Sequence, residues 1–302
     1  MSTCLIVPVF NPGPLWPMWV AAVQSQQPSM QVVILDSGST DGTVFTALSA
    51  DWRYLRIEKE DFNHGDTRTM ALQHVLPGTD VVVFMTQDAI LTTPESLEVL
   101  VSAFADTSVA CAYGRQLPHF DATPLSAHAR YFNYPAVSRT VSMADQPQLG
   151  LKTCFFSNSF AAYRLADLLE VGGFPSNVIL GEDMSVAACL LMMGKRVAYV
   201  AEACVYHSHN YTFAQEFGRY FDTGVFHARA PWLLKKFGYA KDEGARFVRS
   251  ELSYLWKEAP AWLPVALARI FVKWLAYKLG LVEAYLPLNL KRQCSMHKDY
   301  WG

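Results

Sequence analysis

Short apolar runs recur about every 25 residues in the first part of the chain and alternate with segments of helical character. They cover residues 3–10, 31–35, 55–58, 81–84 and 109–113. Strands separated by helices at this spacing are typical of βαβ units, in which parallel strands share one sheet and helices cover its faces. The sequence therefore predicts an α/β fold with a mostly parallel sheet.

The fourth run, Val-Val-Val-Phe at 81–84, leads within a few residues to Asp88. Such a run is typical of a strand buried on both faces. Asp36 follows the second run in the same way, and parallel strands share their carboxyl ends, where ligands bind in open α/β sheets. Taken alone, an Asp at a strand end is more often a turn or cap residue. The pair nevertheless predicts a binding site at this edge of the sheet.

The regular alternation stops after Arg115. Residues 115–150 are rich in Pro, His and aromatic residues without a sustained period, and are predicted to form a long functional loop region over the sheet edge. The elements predicted after it are a strand at 154–163, helices at 165–170 and 182–193, and a strand at 196–200. Asp183 falls in the first turn of the second helix, and His207 follows the last strand.

Composition excludes several function classes. The net charge of −2 argues against a general nucleic-acid binder. Six scattered cysteines without a Cys-x-x-Cys pair indicate a reducing compartment rather than a disulfide framework or a zinc site. The chain enters its first strand without a signal-peptide pattern, so we expect a cytoplasmic protein. No uncharged run reaches 18 residues, so no spanning helix is expected.

The last quarter of the sequence has a different character. Residues 226–302 are predicted to form an amphipathic helical region in which Trp, Leu and Lys occur together. Arg269 and Lys273 share a helix face, and Trp262, Phe271 and Trp274 supply aromatic side chains. This mixture suits helices lying in a membrane interface. A helical appendage packed on the main domain or on a dimer partner explains it equally well.

Several motifs resemble the landmarks of inverting family 2 glycosyltransferases with the GT-A fold, a Rossmann-like, mostly parallel sheet. They are Val-Pro-Val-Phe-Asn at 7–11, Asp-Ser-Gly-Ser-Thr-Asp-Gly-Thr at 36–43, Gln-Asp-Ala at 87–89 and Gly-Glu-Asp at 181–183. Asn-His-Gly at 63–65 and His-Ser-His-Asn at 207–210 are more particularly similar to bacterial dTDP-rhamnose-dependent rhamnosyltransferases. The resemblance implies a GT-A catalytic domain at 1–225, with a nucleotide-sugar half at 1–114 and an acceptor half at 115–225.

The same resemblance implies a donor site and a metal site. The donor residues would be Pro8, Phe10, Asp36, Ser37, Asn63, Arg68, Gln87 and Asp88. Asp88 matches the last Asp of the family's Asp-x-Asp motif, which holds Mg²⁺ or Mn²⁺ on the diphosphate, and Thr86 stands at the first position. His207 would supply a second metal ligand, with His209 as the alternative.

For catalysis, the resemblance implies Asp183 as the base that takes the proton of the acceptor hydroxyl. We expect the dipole of its helix to keep Asp183 ionised. Glu182 is the rival carboxylate, and His64 is a turn residue or a donor contact. In the aromatic loop region, Phe120, Tyr131 and Phe132 are candidate surfaces for the acceptor sugar.

The function that the resemblance implies is transfer of L-rhamnose from dTDP-β-L-rhamnose to a glycan or lipid-linked glycan acceptor in O-antigen or capsule synthesis. The partners would include a membrane surface and a homodimer partner. Three alternatives stay open: a UDP- or GDP-sugar donor, a nucleotidyltransferase, and a non-catalytic glycan-binding module. The last alternative rests on Thr86, which removes one carboxylate from the metal motif.

Overall fold

A single mixed β-sheet organises the computed structural model, which describes residues 1–238 and 242–302. Its strands are β1 (Thr3–Val9), β2 (Gln31–Asp36), β3 (Arg53–Arg56), β4 (Val81–Met85), β5 (Ile90–Leu91), β6 (Val109–Leu117), β7 (Arg139–Val141), β8 (Phe160–Arg164) and β9 (Arg196–Tyr206). The strand order is β3-β2-β1-β4-β8-β6-β9-β5, with β7 paired to β9.

The first half of the sheet is parallel and the second half is mixed. Strands β3, β2, β1 and β4 run parallel, so that Val7 pairs with Ile34 and Leu5 with Val83. Strand β8 lies antiparallel between β4 and β6, while β6 and β9 pair in parallel. The α/β fold expected from the sequence is confirmed. The purely parallel pattern holds only where βαβ connections build the sheet.

The central strands are apolar on both faces because helices cover both sides of the sheet. In β1, Cys4 and Ile6 belong to one core cluster, and Leu5 and Val7 belong to the other. All five residues of β4 are fully buried. This burial explains why these strands are continuous apolar runs rather than alternating patterns.

The α-helices before the C-terminal region are α1 (Trp16–Gln24), α2 (Thr43–Ser49), α3 (His64–Ala71), α4 (Ser96–Val101), α5 (Pro124–Asn133), α6 (Gln146–Leu149), α7 (Leu165–Glu170) and α8 (Glu182–Met192). The predicted helix at 165–170 is confirmed. The helix predicted at 182–193 ends one residue earlier, because Gly194 adopts a left-handed φ of 81° just beyond it.

Two predicted elements are wrong. Residues 115–150 are not a long loop, because they contain α5, β7 and α6. Thr123 caps α5 through the Ser126 backbone N–H, and Pro124 occupies its first turn. The strand predicted from residue 154 begins only at Phe160, and Gly150–Cys154 forms a 3-10 helix instead.

The C-terminal helices are α9 (Phe213–Arg229), α10 (Pro231–Phe237), α11 (Glu243–Glu258), α12 (Leu263–Leu281) and α13 (Leu288–Cys294). Helices α9 and α12 pack at very close range, since a Cβ on Gly280 would lie 2.1 Å from the backbone oxygen of Phe221. The predicted domain boundary at residue 225 falls inside α9, and the domain division stays a prediction. Among the described residues, no helix is both long enough and apolar enough to cross a membrane.

Candidate active site

A large cleft of about 1970 Å³ opens at the carboxyl ends of β1, β2 and β4. Its walls also include the start of α8, the segment after β9, and α9. Most residues predicted for the site line this cleft: Pro8, Phe10, Ser37, Asn63, His64, Arg68, Gln87, Asp88, Glu182, Asp183, His207 and His209. Asp36 is fully buried and does not line the cleft, and neither do the three aromatic residues predicted to contact the acceptor.

Asp88, His207 and His209 form a compact group of possible metal ligands. The Nε2 atom of His207 lies 3.5 Å from one carboxylate oxygen of Asp88, and the Nδ1 atom of His209 lies 3.8 Å from the other. One donor atom from each residue fits within 4.8 Å of the other two. One carboxylate oxygen and two imidazole nitrogens are suitable ligands for a divalent transition-metal ion.

The protonation of this group favours metal binding. Burial would raise the pKa of Asp88, but its contacts with the His207 and His209 imidazoles hold it well below its usual range. Burial lowers the pKa of His207. Burial, followed by the His207 charge, lowers the pKa of His209 to about 3. At neutral pH the group therefore holds one carboxylate and two neutral imidazoles.

Gln116 fixes the orientation and tautomer of His207. Its side-chain oxygen lies 2.8 Å from His207 Nδ1 and also accepts from the Arg130 guanidinium, while its amide nitrogen donates to Ser157. An oxygen placed between these groups can only accept, so Nδ1 of His207 carries the hydrogen. The lone pair of Nε2 is then directed toward Asp88, as in metal sites whose histidines are held by an outer hydrogen bond.

Asp183 lies at the start of α8 and has an unusual pKa. Its two carboxylate oxygens accept from the backbone N–H groups of Asn158 and Met184, at 3.0 and 2.7 Å. Burial and the adjacent Glu182 charge nevertheless raise its pKa to about 7. The expectation that the helix dipole keeps Asp183 ionised is wrong, because burial and the Glu182 charge outweigh the backbone donors. A pKa near 7 suits a general base at neutral pH.

Glu182 is directed away from this position by an ion pair. Its Oε1 atom lies 3.2 Å from Nη1 of Arg68, and the two side chains are only 9% and 6% exposed. The Arg68 and His64 charges oppose burial and lower the pKa of Glu182, so it stays ionised. Arg68 also donates to the backbone oxygen of His64. In this arrangement Glu182 neutralises Arg68, whereas the Asp183 carboxylate is held by backbone N–H groups.

The predicted donor residues sit around the ends of β1 and β2. The backbone N–H of Phe10 donates to Gln87 at 2.7 Å, and the Gln87 amide donates back to the Phe10 oxygen. Asp36 accepts from the Tyr54 hydroxyl at 2.7 Å and from Ser39. These bonds hold the strand ends together beside the cleft.

Two other predicted donor residues also have structural contacts. Asn63 caps α3 by accepting from the backbone of Gly65, and its amide donates to Ser176. The Ser37 hydroxyl donates to the backbone oxygen of Val9. The roles of the donor residues in nucleotide binding stay predictions.

The aromatic residues predicted to contact the acceptor are not in the cleft. Tyr131 and Phe132 line a second, smaller cavity of about 470 Å³ between α5 and α11. Phe120 is 84% exposed and packs edge-on against His119. The prediction treated 115–150 as a loop, whereas α5 turns these rings toward α11. Asn133 and Phe155 line both cavities.

Sequence reasoning missed three polar residues that shape the site. Gln116 holds His207, Asn158 donates its backbone N–H to Asp183, and the exposed side chain of Arg219 lines the cleft from α9. None belongs to a recognisable motif. The alignment of Gln116 and Asn158 with His207 and Asp183 depends on the pairing of β6 with β8 and β9, which spacing along the chain does not predict.

Comparisons with known proteins agree with this architecture. The model of the family described as "Glycosyl transferase family 2" matches residues 4–172. The chain is 49% identical to the O-antigen chain rhamnosyltransferase RfbN of Salmonella typhimurium and 50% identical to the O-antigen chain rhamnosyltransferase WbaN of Salmonella anatum. Both alignments cover 100% of this chain and 96% of the relative.

Solved structures share the fold at low identity. The mannosyltransferase PcManGT of Pyrobaculum calidifontis, in complex with GDP-Man and Mn²⁺, superimposes with a TM-score of 0.58 at 22% identity, covering 99% of this chain and 84% of that one. TarS (1–349) of S. aureus gives a TM-score of 0.56 at 15% identity, covering 97% and 85%. At these identities the likeness concerns the fold alone.

Proposed function

The chain belongs to glycosyl transferase family 2, and on that premise we propose that it transfers L-rhamnose from dTDP-β-L-rhamnose to a glycan acceptor with inversion, in O-antigen synthesis. The observation that supports this most is one cleft containing both a possible metal group at Asp88 and a carboxylate of pKa about 7 at Asp183. The names of the two relatives at about 50% identity support rhamnose as the sugar.

In the proposed reaction, Asp183 takes the proton from the acceptor hydroxyl. The hydroxyl oxygen then bonds to the anomeric carbon from the face opposite the diphosphate, and the bond from that carbon to the diphosphate oxygen breaks. The bonding electrons leave with dTDP, so the anomeric configuration inverts. The Asn158 and Met184 N–H groups fix the Asp183 carboxylate, so it needs little reorganisation to accept the proton.

Asp88, His207 and His209 would hold a divalent cation, which would neutralise charge on the departing diphosphate. Two imidazole ligands suit Mn²⁺ better than Mg²⁺, because Mg²⁺ strongly prefers oxygen. His209 would supply the third ligand in place of the carboxylate that the motif lacks at Thr86. We therefore expect Mn²⁺ to support turnover better than Mg²⁺.

A donor panel tests the reaction. The protein is incubated with dTDP-rhamnose, a UDP-hexose and a GDP-hexose, with Mn²⁺ or Mg²⁺, and release of the nucleoside diphosphate is measured. We expect release with dTDP-rhamnose, and a loss of at least about 100-fold in Asp183→Asn. Turnover only with a UDP- or GDP-sugar would rule out rhamnose as the transferred sugar. Turnover by Asp183→Asn equal to that of the wild type would rule out Asp183 as the base.

The exposed face of α12 fits a membrane surface. Leu267, Phe271 and Trp274 lie at helical spacing along one side of the helix, and Phe271 and Trp274 are 60% and 55% exposed. Lys278 lies on the same side. The exposed Val282 follows directly after the last residue of α12. A stripe of aliphatic and aromatic residues with a snorkelling cation suits the headgroup region of an anionic bilayer. The protein would then act as a peripheral protein on the inner face of a bacterial cytoplasmic membrane, on a lipid-linked acceptor.

Vesicle co-sedimentation tests this surface. Replacing Phe271 and Trp274 by Ser should reduce binding to phosphatidylglycerol-containing vesicles by roughly tenfold or more, because each aromatic side chain loses apolar burial. Phe45→Ser is the matched control, since Phe45 is 77% exposed on α2 and outside the stripe. Unchanged vesicle binding by the double variant, together with its conversion from dimer to monomer, would assign the stripe to a dimer interface instead.

A further inference from the structure

The far wall of the cleft carries cationic side chains for which the described residues provide no acidic partner. Arg219 on α9, Arg292 on α13 and Lys298 near the C-terminus all line the cleft. In the part of the chain that the structure describes, no carboxylate forms an ion pair with any of the three. Arg292 makes one long hydrogen bond of 3.5 Å to the backbone oxygen of Trp301. These cations are therefore available to a ligand.

Packing of the C-terminal segment on α9 brings the group together. A Cβ on Gly218 would lie 2.9 Å from the backbone nitrogen of Met296, so α9 and this segment are in direct contact. Asp222 accepts from the backbone N–H groups of Met296 and His297 at 2.9 and 3.1 Å. Arg219 follows Gly218, so it lies beside the segment that carries Lys298.

Arg219 also faces the reaction centre. Burial is the main cause of the low pKa of His64 and His297, and the Arg219 charge lowers both further. The two imidazole rings lie 5.3 Å apart, and His64 adjoins the Arg68–Glu182 ion pair. The Arg219 charge thus reaches the two histidines beside the start of α8, where Asp183 is located.

Nearby carboxylates do not neutralise this wall. Both carboxylate oxygens of Glu283 are already in ion pairs, one with Arg229 Nε at 2.7 Å and the other with Lys291 Nζ at 2.6 Å, and neither pairs with Arg292. One oxygen of Asp222 accepts from two backbone N–H groups, and among the described residues this carboxylate forms no ion pair with the three cations. Asp299 also lines the cleft, but its single charge is smaller than the combined charge of Arg219, Arg292 and Lys298. The wall retains a net positive charge that attracts a multiply charged anion.

The same wall adjoins the apolar surface of the C-terminal helices. Val282, Tyr285, Leu288 and Leu290 are exposed, and they immediately precede Arg292 in the chain. Arg292 lines the cleft, whereas Leu288 and Leu290 on the same short helix face solvent. An amphiphile with its hydrocarbon on the apolar surface would place its headgroup at the cations.

We propose that Arg219, Arg292 and Lys298 form the binding site for the diphosphate of a lipid-linked acceptor. This inference rests on the proposed function, which supplies an acceptor sugar to the same cleft. The lipid would lie on the apolar surface, the diphosphate on the three cations, and the sugar would extend toward Asp183. Guanidinium groups suit this task because they bind phosphate oxygens through paired N–H donors.

Calorimetry with farnesyl diphosphate tests the site. The full chain is titrated in EDTA, so that no metal contributes to diphosphate binding. We expect Arg219→Gln, Arg292→Gln and Lys298→Gln each to weaken binding by about tenfold. Arg249→Gln is the matched control: Arg249 is exposed on α11, lines neither cavity, and should bind like the wild type. Lys298 is itself exposed, so its variant tests the site without risk to folding.

Titration of the same variants with dTDP and Mn²⁺ separates the two possible diphosphates. Weaker dTDP binding with unchanged farnesyl diphosphate binding would assign the cations to the donor and overturn the proposal. Unchanged binding of both ligands would overturn it as well. Neither measurement requires turnover. The donor panel can therefore show no rhamnosyl transfer while the variants still weaken farnesyl diphosphate binding. It can equally show transfer while the variants leave farnesyl diphosphate binding unchanged.

Discussion

The substitution Glu182→Gln tests how the buried carboxylates divide their roles. Glu182 raises the pKa of Asp183, although burial is the larger cause. Glu182 also neutralises Arg68 at 3.2 Å. The substitution removes the negative charge and leaves the Arg68 charge uncompensated. Both changes favour the ionised form of Asp183, so its pKa should fall from about 7 toward the ordinary value of 3.8.

The size of the effect follows from the charge removed. Burial persists in the variant, so only part of the elevation should disappear, and a neighbouring charge typically shifts a carboxyl pKa by about one unit or more. With a pKa near 7, about a tenth of Asp183 is ionised at pH 6, against about half if the pKa falls by one unit. The ratio of kcat at pH 6 to kcat at pH 8 should therefore rise about fivefold.

The assay is release of dTDP from dTDP-rhamnose between pH 5.5 and 8.5, with thermal unfolding measured in the same buffers. Loss of the buried partner of Arg68 should also cost about 3–5 kcal/mol of folding stability. Glu170→Gln is the control, because Glu170 is exposed on α7 and does not line the cleft. A folded Glu182→Gln protein with the wild-type pH ratio would refute this account of the Asp183 pKa.

Three further predictions concern stability and metal binding. In Asp183→Asn, the stability gained over wild type should grow as pH rises from about 4 to 7 and then level off. The reason is that wild-type Asp183 is protonated in the folded state but ionised in the unfolded state over that range. A pH-independent difference between the two proteins in urea unfolding would contradict this prediction. Gln116→Leu should weaken Mn²⁺ binding about 10–100-fold, measured by electron paramagnetic resonance, because His207 loses its orienting acceptor. Gly280→Ala should cost about 2–3 kcal/mol because its Cβ would meet the backbone of α9, whereas Gly244→Ala, with open space around it, should cost nothing measurable.

The sequence determined the parallel half of the fold and the identity of most cleft residues. Continuous apolar strands are buried on both faces, and that requirement leaves a periodic record along the chain. Parallel strands share their carboxyl ends, so the edge carrying Asp88 followed from the alternation alone. The motifs around Asp36, Asp88 and Asp183 carried the family resemblance, which the family match and the two relatives then confirmed.

Only the tertiary structure decided how these residues act. The pKa of Asp183 depends on burial and on Glu182, and the direction of Glu182 depends on Arg68, more than a hundred residues away in sequence. His209 joins Asp88 and His207 because antiparallel β5 and β9 bring the two segments together. The aromatic rings of α5 line a second cavity instead of the cleft, and Arg219, which no sequence motif indicated, lines the cleft. Burial and electrostatic fields depend on contacts distant in sequence, so a residue pattern predicts which groups are present but not how packing tunes them.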